Sequence, residues 1–253
     1  MRFHKYQGTG NDFVLFDGRQ QLTQFSEKEI AKLCDRHFGI GADGLIILKD
    51  HRQYDFEMIY FNSDGRRSSM CGNGGRCIAR FAADLGLGKA FNFLAIDGAH
   101  RATVEGHSVH LQMKSEIDLP RQEEGGWFVD TGSPHYCRWL ENDFPADFVT
   151  QAREIRCSPA YREKGVNVNF LRWEQERVMM RTYERGVENE TLSCGTGVTA
   201  AALVAYASGL TKNQQVQVNT EGGTLSVKFD KPEDRFHNIW LSGAAEKVFE
   251  GVI

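Results

Sequence analysis

Two cysteines in this 253-residue chain stand in almost the same setting. One opens Cys71-Gly72-Asn73-Gly74, the other Cys194-Gly195-Thr196-Gly197, and each is followed by a run that reads as a helix. The first tail carries apolar residues at 77, 78, 81, 82 and 85, and the second is apolar nearly all round from Val198 to Tyr206,. A free thiol ionises near pH ~8.5, and a helix N-terminus lowers that value into the range of a useful base. The first amides of a helix lack partners within it and offer hydrogen bonds to an anion. Glycines after each cysteine let a ligand approach those amides. Two such starts would supply an acid, a base and a cradle for a carboxylate taking up negative charge. That is the equipment for removing a weakly acidic α-hydrogen of an amino acid from one face and returning it on the other, without a cofactor. A lone cysteine is more often a small buried hydrophobe; two matching motifs in matching contexts favour catalysis.

The elements that position these thiols repeat as well. Gly86-Leu87 stops the first helix and Gly209-Leu210 the second, each glycine 15 residues after its cysteine, as a left-handed cap requires,. Upstream, the strand-like run Phe56 to Phe61 leads into Asn62-Ser63-Asp64-Gly65, and Val178 to Tyr183 leads into Glu184-Arg185-Gly186. Further back, Thr9-Gly10-Asn11-Asp12 parallels Thr131-Gly132-Ser133-Pro134-His135, and Gly39 to Asp43 parallels Gly165 to Asn169. This series predicts an α+β fold of two pseudo-symmetric domains, each with many short strands and one principal helix. The expected halves are residues 1–115 and 116–242, with Lys114 to Gly126 as the linker,.

Composition narrows the setting. The chain has 30 basic and 34 acidic residues, a net charge of −4, and no basic cluster of the kind that binds nucleic acid,. It has no run of about 18 apolar residues to span a membrane. The start, Met1 to Gly8, lacks the apolar stretch of a signal peptide, so a reducing cytoplasm is expected, with six cysteines as thiols,. No C-x-x-C pair points to a metal,. Cys77 lies roughly 240° round the helix from Cys71 and is expected in the core. Cys34, Cys137 and Cys157 read as packing residues. His135 is the only histidine beside a duplicated motif. Arg76 reads as a helix-surface charge in preference to a partner for a carboxylate, and Glu174 to Arg177 as a solvated turn. Glu184-Arg185, opposite charges at a strand end, suit a zwitterionic ligand, with a structural salt bridge as the alternative.

These motifs resemble the diaminopimelate epimerase family. The resemblance runs through Gly8 to Val14, Arg36 to Gly44, Phe61 to Gly65, Met70 to Cys77, Pro134-His135, Asn167 to Phe170, Tyr183 to Gly186 and Glu190 to Gly197. It implies two domains, each a sheet curled around a central helix, with substrate between them and the tail near 243–253 returning to the first. It implies pyridoxal-independent interconversion of LL- and meso-2,6-diaminopimelate, in lysine and cell-wall precursor synthesis, with no metal and no cofactor. By the resemblance Cys71 and Cys194 are the two bases, and His135 and Glu184 flank the reacting centre. Gly72, Asn73, Gly195 and Thr196 hold the reacting carboxylate. Asn11, Asn62, Asn167, Glu184 and Arg185 read the rest of the substrate. No membrane or nucleic-acid partner is implied, and a homodimer is compatible. Three departures stand out. Ser133 replaces the usual Asn before Pro-His, Gly44 stands where some members carry Gln, and Val187 to Glu190 is one residue longer. A proline or hydroxyproline racemase would carry Asp-Arg-Ser-Pro before the second cysteine, which Glu184-Arg185-Gly186 opposes. A binding protein on this scaffold would lack a thiol; a redox sensor would use the two thiols as a disulfide.

Overall fold

The computed structural model describes residues 1–19, 24–68, 70–232 and 234–253. The chain divides into two compact units, Met1–Leu111 with Gly243–Ile253, and Gln112–Ser242.

The first unit begins with β1 (Arg2–Gly8) and β2 (Asn11–Asp17), followed by α1 (Glu27–Cys34), β3 (Gly44–Lys49) and β4 (Phe56–Asn62). Then come α2 (Gly72–Asp84), β5 (Ala90–Ala95), β6 (Gly98–Glu105) and β7 (Ser108–Gln112). Strands β1 and β2 pair antiparallel across Thr9-Gly10, whose positive φ values of 52° and 86° suit a tight hairpin turn,. Strand β3 joins β2 in parallel, β4 joins β3 antiparallel, β5 joins β4 in parallel, and β6 and β7 follow antiparallel. Helix α2 packs against β1, β2, β3 and β6. On the opposite face α1 lays Ile30 and Cys34 against Val14, Phe16, Leu45 and Ile47. A strand covered on both sides has no face for water, which is why β3 reads Gly-Leu-Ile-Ile-Leu without alternation,.

The second unit runs β8 (Glu116–Asp118), β9 (Arg121–Glu123), β10 (Gly126–Asp130), β11 (Pro134–Trp139), α3 (Phe148–Arg156), β12 (Asn167–Glu174) and β13 (Arg177–Glu184). It continues with β14 (Asn189–Thr191), α4 (Gly195–Ala207), β15 (Gln215–Thr220), β16 (Gly223–Asp230) and β17 (Arg235–Ala244). The pairing sequence repeats that of the first unit. Strands β10 and β11 are antiparallel, β11 and β12 parallel, β12 and β13 antiparallel, β13 and β15 parallel, and β15 to β17 antiparallel. Helix α4 touches β10, β11, β12, β13, β15 and β16. Every residue from Gly197 to Ala205 is buried, and the small side chains of its alanine run let strands close in from all sides,. Helix α3 seals the outer face with Phe148 and Ala152 against Val168 and Phe170. Each unit is thus a sheet wrapped around a 13-residue helix, the two-domain α+β arrangement expected.

The last strand, β18 (Glu246–Val252), pairs antiparallel with β1, with Arg2 opposite Val252. Two expectations need correction. The stretch from Lys114 to Gly126 is no bare linker: Arg121–Glu123 pairs with β10 and Glu116–Asp118 with β17. Cys157, the C-cap of α3, is exposed rather than packed. The turn after Glu174 is as expected, with Gln175 and Glu176 at φ 47° and 61°. Among the described residues no helix is long and apolar enough to cross a membrane.

Candidate active site

Both long helices begin on a cysteine in extended conformation, Cys71 at φ −97° and Cys194 at φ −123°. Neither side chain caps its helix. The first intrahelical bonds run from the Gly75 and Val198 amides to the Cys71 and Cys194 carbonyls. The amides of Gly72, Asn73, Gly195 and Thr196 therefore precede the helical ladder. Both helices close with a Schellman cap: Leu87 N–H donates to the Ala82 carbonyl and Leu210 N–H to the Ala205 carbonyl,.

In the first unit Asn11, Cys71 and Asn73 converge. The Asn11 carbonyl oxygen accepts from Asn73 Nδ2 at 3.4 Å and from Cys71 Sγ at 3.7 Å. Its amide donates to the Asp43 carboxylate at 2.6 Å. Asp43 and Asp12 are clamped in turn by Arg36, while Lys5 pairs with Asp12 at 2.8 Å. Burial pushes the Asp12 carboxyl up, but hydrogen bonds and charge from Arg36 and Lys5 outweigh it and hold the group at about 2. Asn62 is exposed at the end of β4, opposite Gly44. Its neighbour Ser63 donates its amide to the Asp43 carbonyl at 3.1 Å. Gly44 has a packing reason to lack a side chain, because a Cβ there would lie 2.6 Å from both the Phe61 carbonyl and the Tyr60 ring.

Arg76 corrects the sequence reading. It is wholly buried instead of lying on the helix surface, because strands enclose α2 on the face where it points. Its guanidinium donates to Thr9 Oγ1 at 3.0 Å and Gly72 O at 3.4 Å, and its Nε has no hydrogen-bond partner. No carboxylate among the described residues pairs with it. Burial opposes the charge, while Cys77 and Cys71 favour it. Cys77 is buried as expected, and burial pushes its thiol well up.

In the second unit Cys194, Thr196, His135 and Asn167 converge. Thr196 Oγ1 lies 3.4 Å from Cys194 Sγ and 2.9 Å from His135 Nε2. His135 is fully buried, and burial brings its imidazole down to about 3, with Arg185 adding to the fall and Asp130 opposing it. The Asn167 amide donates to Ser133 Oγ at 2.9 Å and the Pro134 carbonyl at 3.2 Å, and its oxygen accepts from the Arg185 amide at 2.8 Å. Asn167 thereby ties the start of β11 to the end of β13, and the short Ser133 hydroxyl serves as its acceptor. Arg185 donates to the Lys164 carbonyl, and Glu184 accepts from Thr191 at 3.1 Å. Gly197 is required by contact: a Cβ there would come within 2.9 Å of Asn169 Oδ1 and 3.3 Å of His135 Cε1. Sequence reading missed Asn169, Thr182 and Asp43 as neighbours of the site. Asn169 lay in a recognised motif and Asp43 in a repeated slot, but Thr182 carried no signal. Among the described residues no cluster of His, Cys, Asp and Glu could hold a metal ion.

Comparison with known proteins bears on this geometry. The family model for diaminopimelate epimerase matches residues 3–115 and 127–248. The chain belongs to the diaminopimelate epimerase family. A diaminopimelate epimerase of Flavobacterium psychrophilum is 46% identical, with both chains fully covered. One of Aquifex aeolicus is 39% identical over 99% of this chain and 97% of its own. Among solved structures, a phenazine biosynthesis protein of the PhzF family from Bacillus anthracis superposes with TM-score 0.74 over 100% of this chain and 99% of its own. At 13% identity that likeness concerns the fold alone. Both cysteine motifs fall inside the matched spans of the epimerase family.

Proposed function

We propose that this protein interconverts LL- and meso-2,6-diaminopimelate by a two-thiol acid–base mechanism, without pyridoxal phosphate, in lysine and peptidoglycan precursor synthesis. The observation that carries this reading is the equivalent placement of Cys71 and Cys194, each opening a buried glycine-rich helix at the same point of a repeated topology. One sulfur, as thiolate, takes the α-proton; the other, as thiol, delivers a proton to the opposite face. The carbon is inverted and the two sulfurs exchange protonation states. The negative charge that passes to the α-carboxylate meets the amides of Gly72, Asn73, Gly195 and Thr196 at the positive ends of two helices. His135 and Glu184 flank the reacting centre, and Asn11, Asn62, Asn167 and Arg185 read the remainder of the substrate.

The reading assigns residues 1–115 and 243–253 to one half of the enzyme and 116–242 to the other; the return of β18 to β1 supports it. It places the enzyme in the cytoplasm with a small-molecule substrate and no nucleic-acid or membrane partner, and it admits a homodimer. The deciding experiment incubates reduced, folded protein with LL-diaminopimelate in D₂O. The expected result is meso product carrying deuterium at the inverted α-carbon. Absence of both deuterium and meso product would defeat the reading.

A further inference from the structure

Behind His135 lies a buried polar chain that the acid–base reaction does not itself require. Asn169 sits on β12 directly opposite Thr182 on β13, and both are buried. The Asn169 side chain can take only one orientation. Its Nδ2 lies 3.3 Å from the Tyr136 carbonyl, which can only accept, so the amide nitrogen must face that side,. The same nitrogen lies 3.1 Å from His135 Nδ1, with Cys137 Sγ as a more distant third neighbour at 3.6 Å. Its oxygen accepts from the Thr182 hydroxyl at 2.9 Å.

This order propagates. A donor at Nδ1 makes that nitrogen the acceptor of a neutral ring, so the hydrogen is on Nε2. Nε2–H then donates to Thr196 Oγ1 at 2.9 Å. Asn167 Nδ2, 3.4 Å from the same ring nitrogen, has its hydrogens directed to Ser133 and Pro134 at shorter range. With an oxygen lone pair taken by the histidine, the Thr196 hydroxyl has its own hydrogen to give, and Cys194 Sγ lies 3.4 Å away. We propose that Asn169 is a positioning residue: by donating to His135 Nδ1 it fixes the Nε2–H tautomer and so turns the Thr196 hydroxyl hydrogen onto the sulfur of Cys194. A hydrogen bond donated to the sulfur stabilises its thiolate form. Thr196 then serves a substrate carboxylate through its backbone amide. In the first unit the Cys71 sulfur faces Asn11 instead. The charged groups that act on His135 are Asp130, at the end of β10, and Arg185, beyond β13. Both are kept in every variant below.

The inference rests on Cys194 being one of the two acid–base groups, and its test does not depend on turnover. Carbamidomethylation by iodoacetamide, followed at Cys194 by mass spectrometry across pH, reads the thiolate directly. Asn169→Leu is expected to move the Cys194 midpoint up by about one pH unit while leaving that of Cys71 in place. Thr182→Val, a milder change should Asn169→Leu fail to fold, is expected to move it the same way by less, and Thr182→Ser to restore the parental midpoint. Nitrogen-15 NMR of the parental protein is expected to show His135 as the neutral Nε2–H tautomer. An Nδ1–H tautomer, or an unchanged Cys194 midpoint in folded Asn169→Leu, would overturn the proposal. If the parental protein makes no meso product from LL-diaminopimelate, the functional reading fails instead, whatever the alkylation shows.

Discussion

The Asn11 amide donates to the Asp43 carboxylate at 2.6 Å, and this commits the Asn11 carbonyl oxygen to the side where Cys71 and Asn73 lie. A carboxylate can only accept, so the orientation of this asparagine is set from behind. Asp43→Ala should leave Asn11 free to rotate its amide. The expected effect is a loss of roughly tenfold or more in kcat/KM, with the thermal transition lowered only slightly because the Arg36–Asp43 pair is exposed,. Steady-state epimerisation alongside circular-dichroism melting checks both parts; undiminished kcat/KM would remove Asp43 from the positioning network.

The two-thiol mechanism requires each sulfur separately. Cys71→Ala and Cys194→Ala should each abolish epimerisation by several orders of magnitude, because inversion needs a group on both faces of the carbon. A single variant with near-normal turnover would show one thiol to be dispensable.

Arg76 is a buried cation whose field reaches Cys71. An unpaired buried charge carries a desolvation cost, and an unbranched apolar side chain of similar length keeps the packing of the stem. Arg76→Met should therefore fold with stability within about 2 kcal/mol of the parent. At neutral pH it should slow alkylation of Cys71 severalfold, since the nearby positive charge favours a thiolate. Rates at Cys194 in the same samples serve as the internal reference.

Acid should find His135. Its folded value of about 3 lies below the ordinary 6.5, so the unfolded chain binds the proton first. Stability from the neutral ring is complete above pH 6.5 and is lost as pH falls toward 3, by up to about 1.4 kcal/mol per pH unit. Denaturant unfolding between pH 6 and pH 4 should show a shallower decline in His135→Gln than in the parent. Parallel slopes would mean that the histidine is protonated without unfolding.

Much of this protein is written locally. Helix starts at the two cysteines, Schellman glycines 15 residues later and the turn at Thr9-Gly10 all depend on neighbours within a few positions, so spacing alone announces them. The repetition of those signals discloses the two-domain α+β architecture. What lies across strands was not legible. That Asn169 meets Thr182 and His135 depends on the register of β11, β12 and β13, which the packed sheet sets and no single segment carries. Arg76 is interior for the same reason. A charged residue on a short helix normally faces water, and only the wrapping of strands around α2 turns that face into interior. Local spacing alone locates the thiols and the chemistry they could share. Which buried amides and hydroxyls orient the groups around them is settled on folding, because hydrogen-bond direction is fixed only when partners distant in sequence are brought within about 3 Å.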